Sequence, residues 1–321
     1  MSIKTEAPLL EARNLKKYFK TPRGTLHAVD DVSLSIQKGS TLGVVGESGC
    51  GKSTLGRTVL RLLEPTAGDV LYNGESILGK NEEQMREMRK KMQIIFQDPY
   101  ASLNPRMNVS QLIAEPMRVC KTLDSELAIQ DKVRSLMKTV GLAERLIKSY
   151  PHELDGGRRQ RIGVARALAL DPEFIVCDEP VSALDVSIQA QILNLMMDLQ
   201  EERGLTYMFI THNLSVVKHI SNQIAVMYLG QCVEWSDTEE IFAKPYHPYT
   251  QSLLAAIPIA SASECHREIV TIQGEVSSPI NPKSGCRFAP RCPEASQACV
   301  EGSLPLRLVS GNHWVACRLY E

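Results

Sequence analysis

A glycine-rich stretch at residues 46–54, G-E-S-G-C-G-K-S-T, constrains this chain more than any other feature. It fits the pattern G-x-x-x-x-G-K-[ST] and lies between an apolar run at residues 42–45 and a helical pattern that begins at Leu55. The backbone N–H groups of such a loop, together with the N-terminus of the next helix, point at one anion. A purely structural strand-to-helix turn is the alternative.

The motif therefore predicts a loop that binds nucleotide phosphates. Lys52 is expected to reach the β- and γ-phosphates, and Ser53 is expected to offer its hydroxyl to Mg²⁺. The predicted nucleotide-binding residues of this loop are Gly46, Glu47, Ser48, Gly49, Cys50, Gly51, Lys52, Ser53 and Thr54.

Length and charge limit the possible classes of protein. A chain of 321 residues can form one sizeable core with a smaller appended unit, or two modest domains. The net charge of −1 gives no field that would attract nucleic acid. Because no apolar run approaches the roughly 20 residues that span a bilayer, and the first eight residues show no signal pattern, we expect a soluble, cytoplasmic protein.

Alternating β-type and helical patterns predict an α/β fold. Residues 9–19 and 26–36 are expected to form two antiparallel strands that precede the strand of the phosphate loop. Further strands are predicted at residues 69–73, 92–96, 174–176, 207–210 and 224–229, and helices at residues 81–91, 158–170, 186–203 and 214–220. This alternation favours a mostly parallel sheet that is covered on both faces.

Residues 98–150 read as an inserted helical lobe with polar faces. Pro99, the pair at residues 104–105 and Pro116 are expected to divide this lobe into separate pieces. Beyond Gly230 the composition changes, and prolines and polar residues dominate from Lys244, so we expect a domain boundary near that point.

Polar residues follow several predicted strands, where α/β sheets carry their chemistry. Asp178 and Glu179 end one buried strand, and His212 follows another. Tyr18 and Phe19 close the first strand, where an aromatic ring can either belong to the core or stack on an adenine. A buried acidic pair and a single histidine are also common as purely structural residues.

With these motifs in order, residues 9–257 resemble the ATP-binding subunits of ABC transporters. The matching features after the phosphate loop are Gln97, the signature at residues 154–160, Asp178, Glu179, the sequence S-A-L-D at residues 182–185, and His212. Three longer runs, at residues 98–106, 179–187 and 247–250, are similar to the oligopeptide/dipeptide importer branch, and in particular to its second ATPase subunit, the F type.

The resemblance implies a P-loop NTPase core with an antiparallel β subdomain, a helical subdomain at about residues 98–170, and a small cysteine-rich C-terminal extension at residues 258–321. It implies that Asp178, Ser53 and Gln97 hold Mg²⁺, that Glu179 polarises the attacking water, and that His212 contacts the γ-phosphate. Phosphoryl transfer needs mainly positioning and charge stabilisation, which these residue types supply.

The resemblance also implies the partners. A second ABC ATPase subunit would form a head-to-tail heterodimer with this chain, and two membrane permease subunits and an extracytoplasmic substrate-binding protein would complete an importer of dipeptides or oligopeptides. The chain would then lie at the cytoplasmic face of the inner membrane as a peripheral subunit, without a nucleic-acid partner.

The signature departs from the pattern of the family, which reads L-S-G-G-Q. This chain has Asp155 at the serine position, followed by Gly156, Gly157 and Arg158. The family's serine donates to the γ-phosphate held by the partner, whereas a carboxylate only accepts hydrogen bonds. Asp155 is therefore expected to weaken one of the two ATP sites, and the alternative is that it simply caps the helix that begins at Gly156.

The nine cysteines fall into two groups. The first is scattered and reads as ordinary thiols in a reducing compartment: Cys50, Cys120, Cys177, Cys232 and Cys265. The second has the spacing C-x5-C-x6-C-x17-C and comprises Cys286, Cys292, Cys299 and Cys317. Four thiolates can bind zinc or an iron–sulfur cluster, or stay free. The run G-C-x-F-x-x-R-C at residues 285–292 resembles the importer ATPases, which implies a [4Fe-4S] cluster.

Two other functions remain open at this point. A soluble ABC ATPase that acts on DNA or ribosomes would usually show long insertions or two cassettes in one chain, and neither is present in this sequence. A regulatory, weakly hydrolytic subunit of an importer for nickel or another small solute is suggested by Asp155 and by the cysteines, whereas Glu179 and His212 argue against it.

Overall fold

The computed structural model describes residues 7–98, 100–257, 274 and 277–321. The strands of these residues are β1 (Leu10–Thr21), β2 (Gly24–Ile36), β3 (Thr41–Val45), β4 (Ala67–Tyr72), β5 (Glu75–Ser76), β6 (Met92–Ile95), β7 (Phe174–Asp178), β8 (Thr206–Ile210), β9 (Gln223–Tyr228), β10 (Gln231–Asp237), β11 (Arg307–Ser310) and β12 (His313–Val315).

The α-helices are α1 (Lys52–Val59), α2 (Glu82–Lys91), α3 (Val109–Cys120), α4 (Glu126–Thr139), α5 (Gly156–Leu168), α6 (Val186–Arg203), α7 (Leu214–Ile220), α8 (Thr238–Ala243) and α9 (Pro248–Ala255). Short 3₁₀ helices lie at Glu144–Lys148, Pro151–Glu153, Ala289–Arg291, Gln297–Val300 and Arg318–Tyr320. None of the helices in the described residues has the length and hydropathy that crossing a membrane requires.

The chain divides into two compact units. The first unit contains Met1–Gln37, Thr41–Leu78 and Thr211–Glu321, and the second contains Lys38–Ser40 and Gly79–Ile210. The first unit therefore includes the phosphate loop together with the described residues of the C-terminal region, although these lie far apart in the sequence.

An antiparallel sheet in the first unit has the strand order β2-β1-β4-β5. Strands β1 and β2 pair from Leu10 opposite Ile36 to Thr21 opposite Gly24, which confirms the two predicted antiparallel strands. Leu10, Ala12 and Leu15 of β1 are buried. Shifts in the register near Leu15 interrupt the strict alternation, and they bend this long hairpin.

A second group of strands in the first unit runs in the order β11-β12-β10-β9-β3. Strand β3, which leads into the phosphate loop, is buried along its whole length and pairs with β9 in parallel. Strands β10, β12 and β11 continue this group with antiparallel pairs. The expected parallel pairing is thus present beside β3, whereas the C-terminal strands make the sheet mixed.

In the second unit, β6, β7 and β8 pair in parallel. All five residues of both β7 and β8 are buried, which explains their continuous apolar sequences. Helices α6 and α7 have the predicted bounds, and in each case an acidic or amide side chain caps the first turn: Asp185 accepts from the Ile188 N–H, and Asn213 accepts from the Ser215 and Val216 N–H groups.

One prediction for the helical lobe is wrong. Pro116 does not interrupt the helix but lies inside α3. The helix has a capping box of Asn108 and Gln111 at its start, and Leu112, Ile113 and Met117 bury one face. These contacts outweigh the single backbone hydrogen bond that the proline removes. The pair at residues 104–105 lies in a turn as expected, and Pro99 is outside the described residues.

Candidate nucleotide-binding site

The phosphate loop lies between the end of β3 and the start of α1, as the motif predicts. Two of its glycines have backbone conformations that only glycine adopts readily: φ is 152° at Gly46 and 104° at Gly51. A Cβ atom at Gly46 would lie 2.1 Å from the Met227 oxygen, and one at Gly51 would lie 2.0 Å from the Ala28 oxygen. Neighbouring backbone therefore fixes the path of the loop.

Lys52, the first residue of α1, points back into the loop and is only 5% exposed. Its Nζ donates to the Gly46 oxygen at 2.8 Å and to the Glu47 oxygen at 2.9 Å. Ser53 and Thr54 follow in the first turn of the same helix. The loop thus contains a nearly buried ammonium group and the start of a helix, a combination that favours a phosphate.

His212 belongs to the same unit and is exposed. The backbone N–H of the preceding residue, Thr211, donates to the Val44 oxygen of β3 at 3.1 Å. The following residue, Asn213, caps α7. The neighbours of His212 on both sides therefore hold its backbone beside β3, the strand that leads into the phosphate loop.

The two aromatic residues of β1, Tyr18 and Phe19, are partly buried rather than enclosed in the core. Tyr18 stacks on His27 with ring centroids 3.9 Å apart and donates its hydroxyl to Asp30. The Lys17 Nζ lies 4.9 Å from the centre of the Phe19 ring. Since the Phe19 ring is partly exposed, adenine stacking stays the prediction for this residue.

The second unit carries the acidic residues and the glutamine that the sequence singles out. Asp178 is buried at the end of β7, and Glu179 follows directly. The Gln97 Nε2 donates to Glu179 Oε2 at 3.1 Å, so the structure brings these two side chains together. Glu179 has a φ of 48°, which is unusual for a residue with a side chain. Its N–H donates to the Ile210 oxygen at 2.9 Å, which holds this strained backbone in place.

Asp155 caps α5, as the second interpretation of the signature proposes. Its Oδ1 accepts from the Arg158 N–H at 2.7 Å, and its Oδ2 lies 3.3 Å from Arg158 Nη1. Gly156 and Gly157 form the first turn of this helix. The Asp155 side chain is 59% exposed, so its carboxylate remains accessible while it caps the helix.

Two residues that no sequence pattern identified as part of the site, Tyr249 and Arg291, hold the phosphate loop. The Glu47 N–H donates to the Tyr249 hydroxyl at 2.8 Å. The Glu47 carboxylate is paired with Arg291. Both partners were visible as members of short motifs, H-P-Y-T at residues 247–250 and G-C-x-F-x-x-R-C at residues 285–292, but nothing in those motifs indicates what they contact.

Cys286, Cys292, Cys299 and Cys317 line one cavity of about 20 Å³. All four are free thiols, and burial raises the pKa of Cys317 to about 11. In the described part of the chain, no group of three or more His, Cys, Asp or Glu side chains is arranged to hold a metal ion.

The scattered cysteines that the structure describes are free thiols, as expected. Cys50, Cys177 and Cys232 are buried, and Cys120 is partly exposed. Burial raises the pKa of the Cys50 thiol in the phosphate loop. Cys265 lies outside the described residues.

A cavity of about 870 Å³ lies elsewhere in the first unit. Its lining includes His27 and Asp30 of β2, Trp235 of β10, and Arg287 and Trp314 of the C-terminal region. Because the residues that line it come from outside the phosphate loop, we do not assign this cavity to nucleotide phosphates.

Two families match this sequence. The family described as "ABC transporter" matches residues 29–182, and the family described as "Oligopeptide/dipeptide transporter, C-terminal region" matches residues 233–299. The second match covers α9 and three of the four clustered cysteines.

Similar proteins match along almost the entire chain. The putative oligopeptide transport ATP-binding protein YkfD of Bacillus subtilis is 50% identical, over 98% of this chain and 96% of that protein. The dipeptide transport ATP-binding protein DppF of Haemophilus influenzae is 49% identical, over 98% of both chains. Among solved structures, the ATP-binding cassette MJ0796, a dimer bound to ADP and phosphate, has a TM-score of 0.66 and 27% identity over 71% of this chain and 98% of that one.

Proposed function

The chain belongs to the ATP-binding subunits of oligopeptide and dipeptide ABC transporters, and from this premise we propose that it hydrolyses ATP to power peptide import through a separate membrane permease. The observation that carries the proposal is the phosphate loop, in which Lys52 lies nearly buried among backbone carbonyl groups at the start of α1. The full-length similarity to peptide-transport ATP-binding proteins gives this loop its biological setting.

The proposed reaction is an in-line attack of water on the γ-phosphorus of ATP. The water oxygen forms a bond to phosphorus, the bond to the β,γ-bridging oxygen breaks, and ADP leaves with the electron pair. Glu179 orients the water and takes up its proton, and Lys52 and His212 stabilise the charge on the γ-phosphate. Mg²⁺ bound with the nucleotide would neutralise phosphate charge, and Ser53, Gln97 and Asp178 are the residues that would hold it.

The backbone of Glu179 supports its proposed role. A left-handed conformation at a glutamate costs on the order of 1 kcal/mol or more, and such strain is concentrated at functional sites. The hydrogen bond from Gln97 holds one carboxylate oxygen of Glu179 in place. Glu179 is thus held as an oriented base rather than as a mobile surface side chain.

We propose further that a second ATPase subunit completes each ATP site head to tail. The partner's signature would complete the site of this phosphate loop, and Asp155, Gly156 and Gly157 would complete the partner's site. A carboxylate about 4 Å from a phosphate costs on the order of 1 to 4 kcal/mol at effective dielectric constants of 80 to 20. The site that contains Asp155 would therefore be the slow one, and the site that contains Glu179 would be the hydrolytic one.

The same assembly sets the proposed location and partners. A helix of a membrane permease subunit would dock on Gln97 and on the helical lobe at residues 98–150, two permease subunits would complete the channel, and an extracytoplasmic binding protein would deliver the peptide. The chain would then be a peripheral subunit at the cytoplasmic face of the inner membrane. The alternative functions, a soluble ABC ATPase or a subunit for nickel or another small solute, are not favoured, because the similar proteins are named for oligopeptide or dipeptide transport.

The assembled transporter tests the catalytic assignment. Glu179→Gln in this chain alone is expected to lower ATP turnover about a hundredfold or more, because the general base is lost while the amide keeps the shape. Glu173→Gln is the matched control, since Glu173 pairs with Lys91 at the surface of the same unit and turnover should stay unchanged. If turnover persists in Glu179→Gln, the partner performs the hydrolysis and this chain is the regulatory half.

A [4Fe-4S] cluster on Cys286, Cys292, Cys299 and Cys317 is a second proposal for the cysteine-rich extension. Its support is that all four thiols line one cavity. That cavity, of about 20 Å³, has room for about one water molecule, so the four sulfur atoms do not fit a cluster without moving apart around it. Iron and sulfide analysis of anaerobically purified protein tests the proposal: four iron atoms per chain would support it, and stoichiometric zinc without iron would exclude it.

A further inference from the structure

An acidic side chain in the phosphate loop carries the inference. Glu47 is the second residue of a loop that is proposed to bind the phosphates of ATP, and its own carboxylate is negative. Like charges in such a loop repel the ligand, by an amount that grows as water is excluded. A cation that pairs with Glu47 outside the position of the phosphates would remove this repulsion.

Arg291 supplies that cation. Its Nη1 lies 2.8 Å from Glu47 Oε2, and its Nη2 lies 3.0 Å from Glu47 Oε1, which is a two-point pair of guanidinium and carboxylate. The Arg291 side chain is only 7% exposed, and that of Glu47 is 27% exposed. Such planar, paired hydrogen bonds with little solvent are among the strongest side-chain contacts in proteins.

The surroundings of Arg291 hold its guanidinium in place. Nη1 also donates to the Tyr228 hydroxyl at 3.2 Å. Arg291 is the last residue of the 3₁₀ helix Ala289–Arg291, and this helix begins directly after the buried Phe288. The Phe288 ring packs against Tyr228 and Tyr249, with centroids 5.3 Å away in both cases. The hydrogen bonds with Glu47 raise the pKa of Arg291 further above its ordinary value, so its charge is permanent.

The C-terminal side also holds the backbone of Glu47. Tyr249 accepts the hydrogen bond of the Glu47 N–H at 2.8 Å. Helix α9 thus fixes the main chain of Glu47 through Tyr249, and the 3₁₀ helix Ala289–Arg291 fixes its side chain through Arg291. Both ends of this clamp belong to the first compact unit, as does the phosphate loop.

We propose that Arg291 is a positioning residue for ATP binding, which removes the charge of Glu47 from the field of the nucleotide phosphates and fixes the start of the phosphate loop. This proposal rests on the proposed function, because it assumes that the loop binds ATP. It assigns to the C-terminal region, residues 277–321, a direct part in nucleotide affinity.

Nucleotide titrations of the purified full chain test the proposal. Arg291→Gln, which leaves the carboxylate of Glu47 unpaired, is expected to raise the Kd for ATP about tenfold. The increase should be smaller for ADP and absent for adenosine, because the repulsion acts on phosphate charge. The double variant Glu47→Gln/Arg291→Gln should recover most of the lost affinity, and Arg291→Lys should lie between Arg291→Gln and the unaltered chain.

Two controls separate positioning from folding. Arg307→Gln breaks another arginine–glutamate pair of the C-terminal region, with Glu321 at 3.3 Å, and should leave the Kd unchanged. Circular dichroism and thermal unfolding show whether Arg291→Gln still folds, and Arg291→Lys provides the comparison if it does not.

Several results would overturn the proposal. An unchanged Kd in a folded Arg291→Gln variant would do so, as would an equal loss for ATP and adenosine, or a double variant that binds as weakly as Arg291→Gln alone. By contrast, an unaltered chain that binds ATP but does not hydrolyse it within the assembled transporter would contradict the proposed function and leave the clamp standing.

Discussion

Tyr249 is connected to the phosphate loop through one polar atom. Its hydroxyl accepts from the Glu47 N–H, while its ring packs on Tyr228 at 4.7 Å and on Phe288 at 5.3 Å. Burial raises the pKa of Tyr249, so the hydroxyl stays protonated at neutral pH. Because the ring contacts do not depend on the hydroxyl, its removal isolates the effect of this one hydrogen bond.

Tyr249→Phe is expected to lower the free energy of unfolding by about 1 kcal/mol, because the partly buried N–H of Glu47 loses its acceptor. It should also weaken ATP binding about threefold to tenfold, since Glu47 loses one of the two contacts, with Tyr249 and with Arg291, that hold it in place. Denaturant unfolding and nucleotide titration measure the two effects.

Tyr207→Phe is the matched control for this experiment. Its buried hydroxyl donates to the Met196 oxygen at 3.1 Å in the second unit. A similar loss of stability is expected there, with ATP affinity unchanged. Equal ATP affinities for Tyr249→Phe and the unaltered chain would show that the hydrogen bond does not position the loop.

Asp155 has two separable effects at the residue scale, on the helix and on the partner's nucleotide. Asp155→Ala is expected to lower the free energy of unfolding by about 1 kcal/mol, whereas Asp155→Ser should keep the cap of α5 and the stability. In the assembled heterodimer, Asp155→Ser should raise nucleotide occupancy of the partner's site about tenfold, because the carboxylate charge is removed. Unchanged occupancy and turnover would leave Asp155 with the capping role alone.

At the scale of elements, the sequence predicts those whose ends are set locally. Helices α6 and α7 have the predicted bounds, because Asp185 and Asn213 precede clear helical patterns and cap them. The wrong prediction at Pro116 has the opposite cause. Whether a proline ends a helix depends on how much apolar surface the helix buries on both sides of it, and that burial is set by tertiary contacts.

Strand β10 shows an arrangement that no local pattern could predict. Glu234 is fully buried in this strand. Its carboxylate accepts from the Tyr246 N–H at 2.7 Å, from the His247 N–H at 3.0 Å, and contacts His313 Nε2 at 2.6 Å. One carboxylate thus connects β10 with the start of α9 and with β12, whose His313 lies 79 positions further along the chain.

Glu234→Gln is expected to lower the free energy of unfolding by about 2 to 4 kcal/mol. The amide presents an NH₂ group to at least one of three buried donors, which leaves that donor unsatisfied. Denaturant unfolding measures the change. Glu239→Gln, at an exposed position of α8, is the control and should alter stability by less than about 0.5 kcal/mol. A comparably small effect of Glu234→Gln would show that the three donors find other acceptors.

At the scale of the whole molecule, the contacts of the C-terminal region with the phosphate loop and with β2 span most of the chain. Arg291 and Glu47 of the loop are 244 positions apart, and Arg287 and Asp30 of β2 are 257 positions apart. The local sequence shows the loop through its glycines and its lysine, because those residues are required by backbone geometry. It cannot show which distant arginine neutralises the loop, since that depends on how β10, β12 and α9 pack.

The dependence of stability on pH reports on this packing for the whole chain. His247 caps α9 by accepting from the Tyr249 N–H, and it is buried beside Glu234 and Phe288. Burial lowers the pKa of His247 from 6.5 to about 4, although Glu234 opposes this shift. Between these two values the unfolded chain binds more protons than the folded chain, so stability must fall as the pH falls.

We therefore expect the free energy of unfolding to be fully retained above about pH 6.5 and to fall by up to about 3 kcal/mol as the pH is lowered toward 4, in addition to the titration of other groups. His247→Asn should flatten this part of the profile, because asparagine keeps an acceptor for the cap but does not titrate. His152→Asn, at an exposed position, should leave the profile unchanged. If His247→Asn and the unaltered chain lose stability with the same slope between pH 6.5 and 4, the buried histidine is not the group that senses protons, and the packing of α9 beneath the phosphate loop does not set the acid limit of the fold.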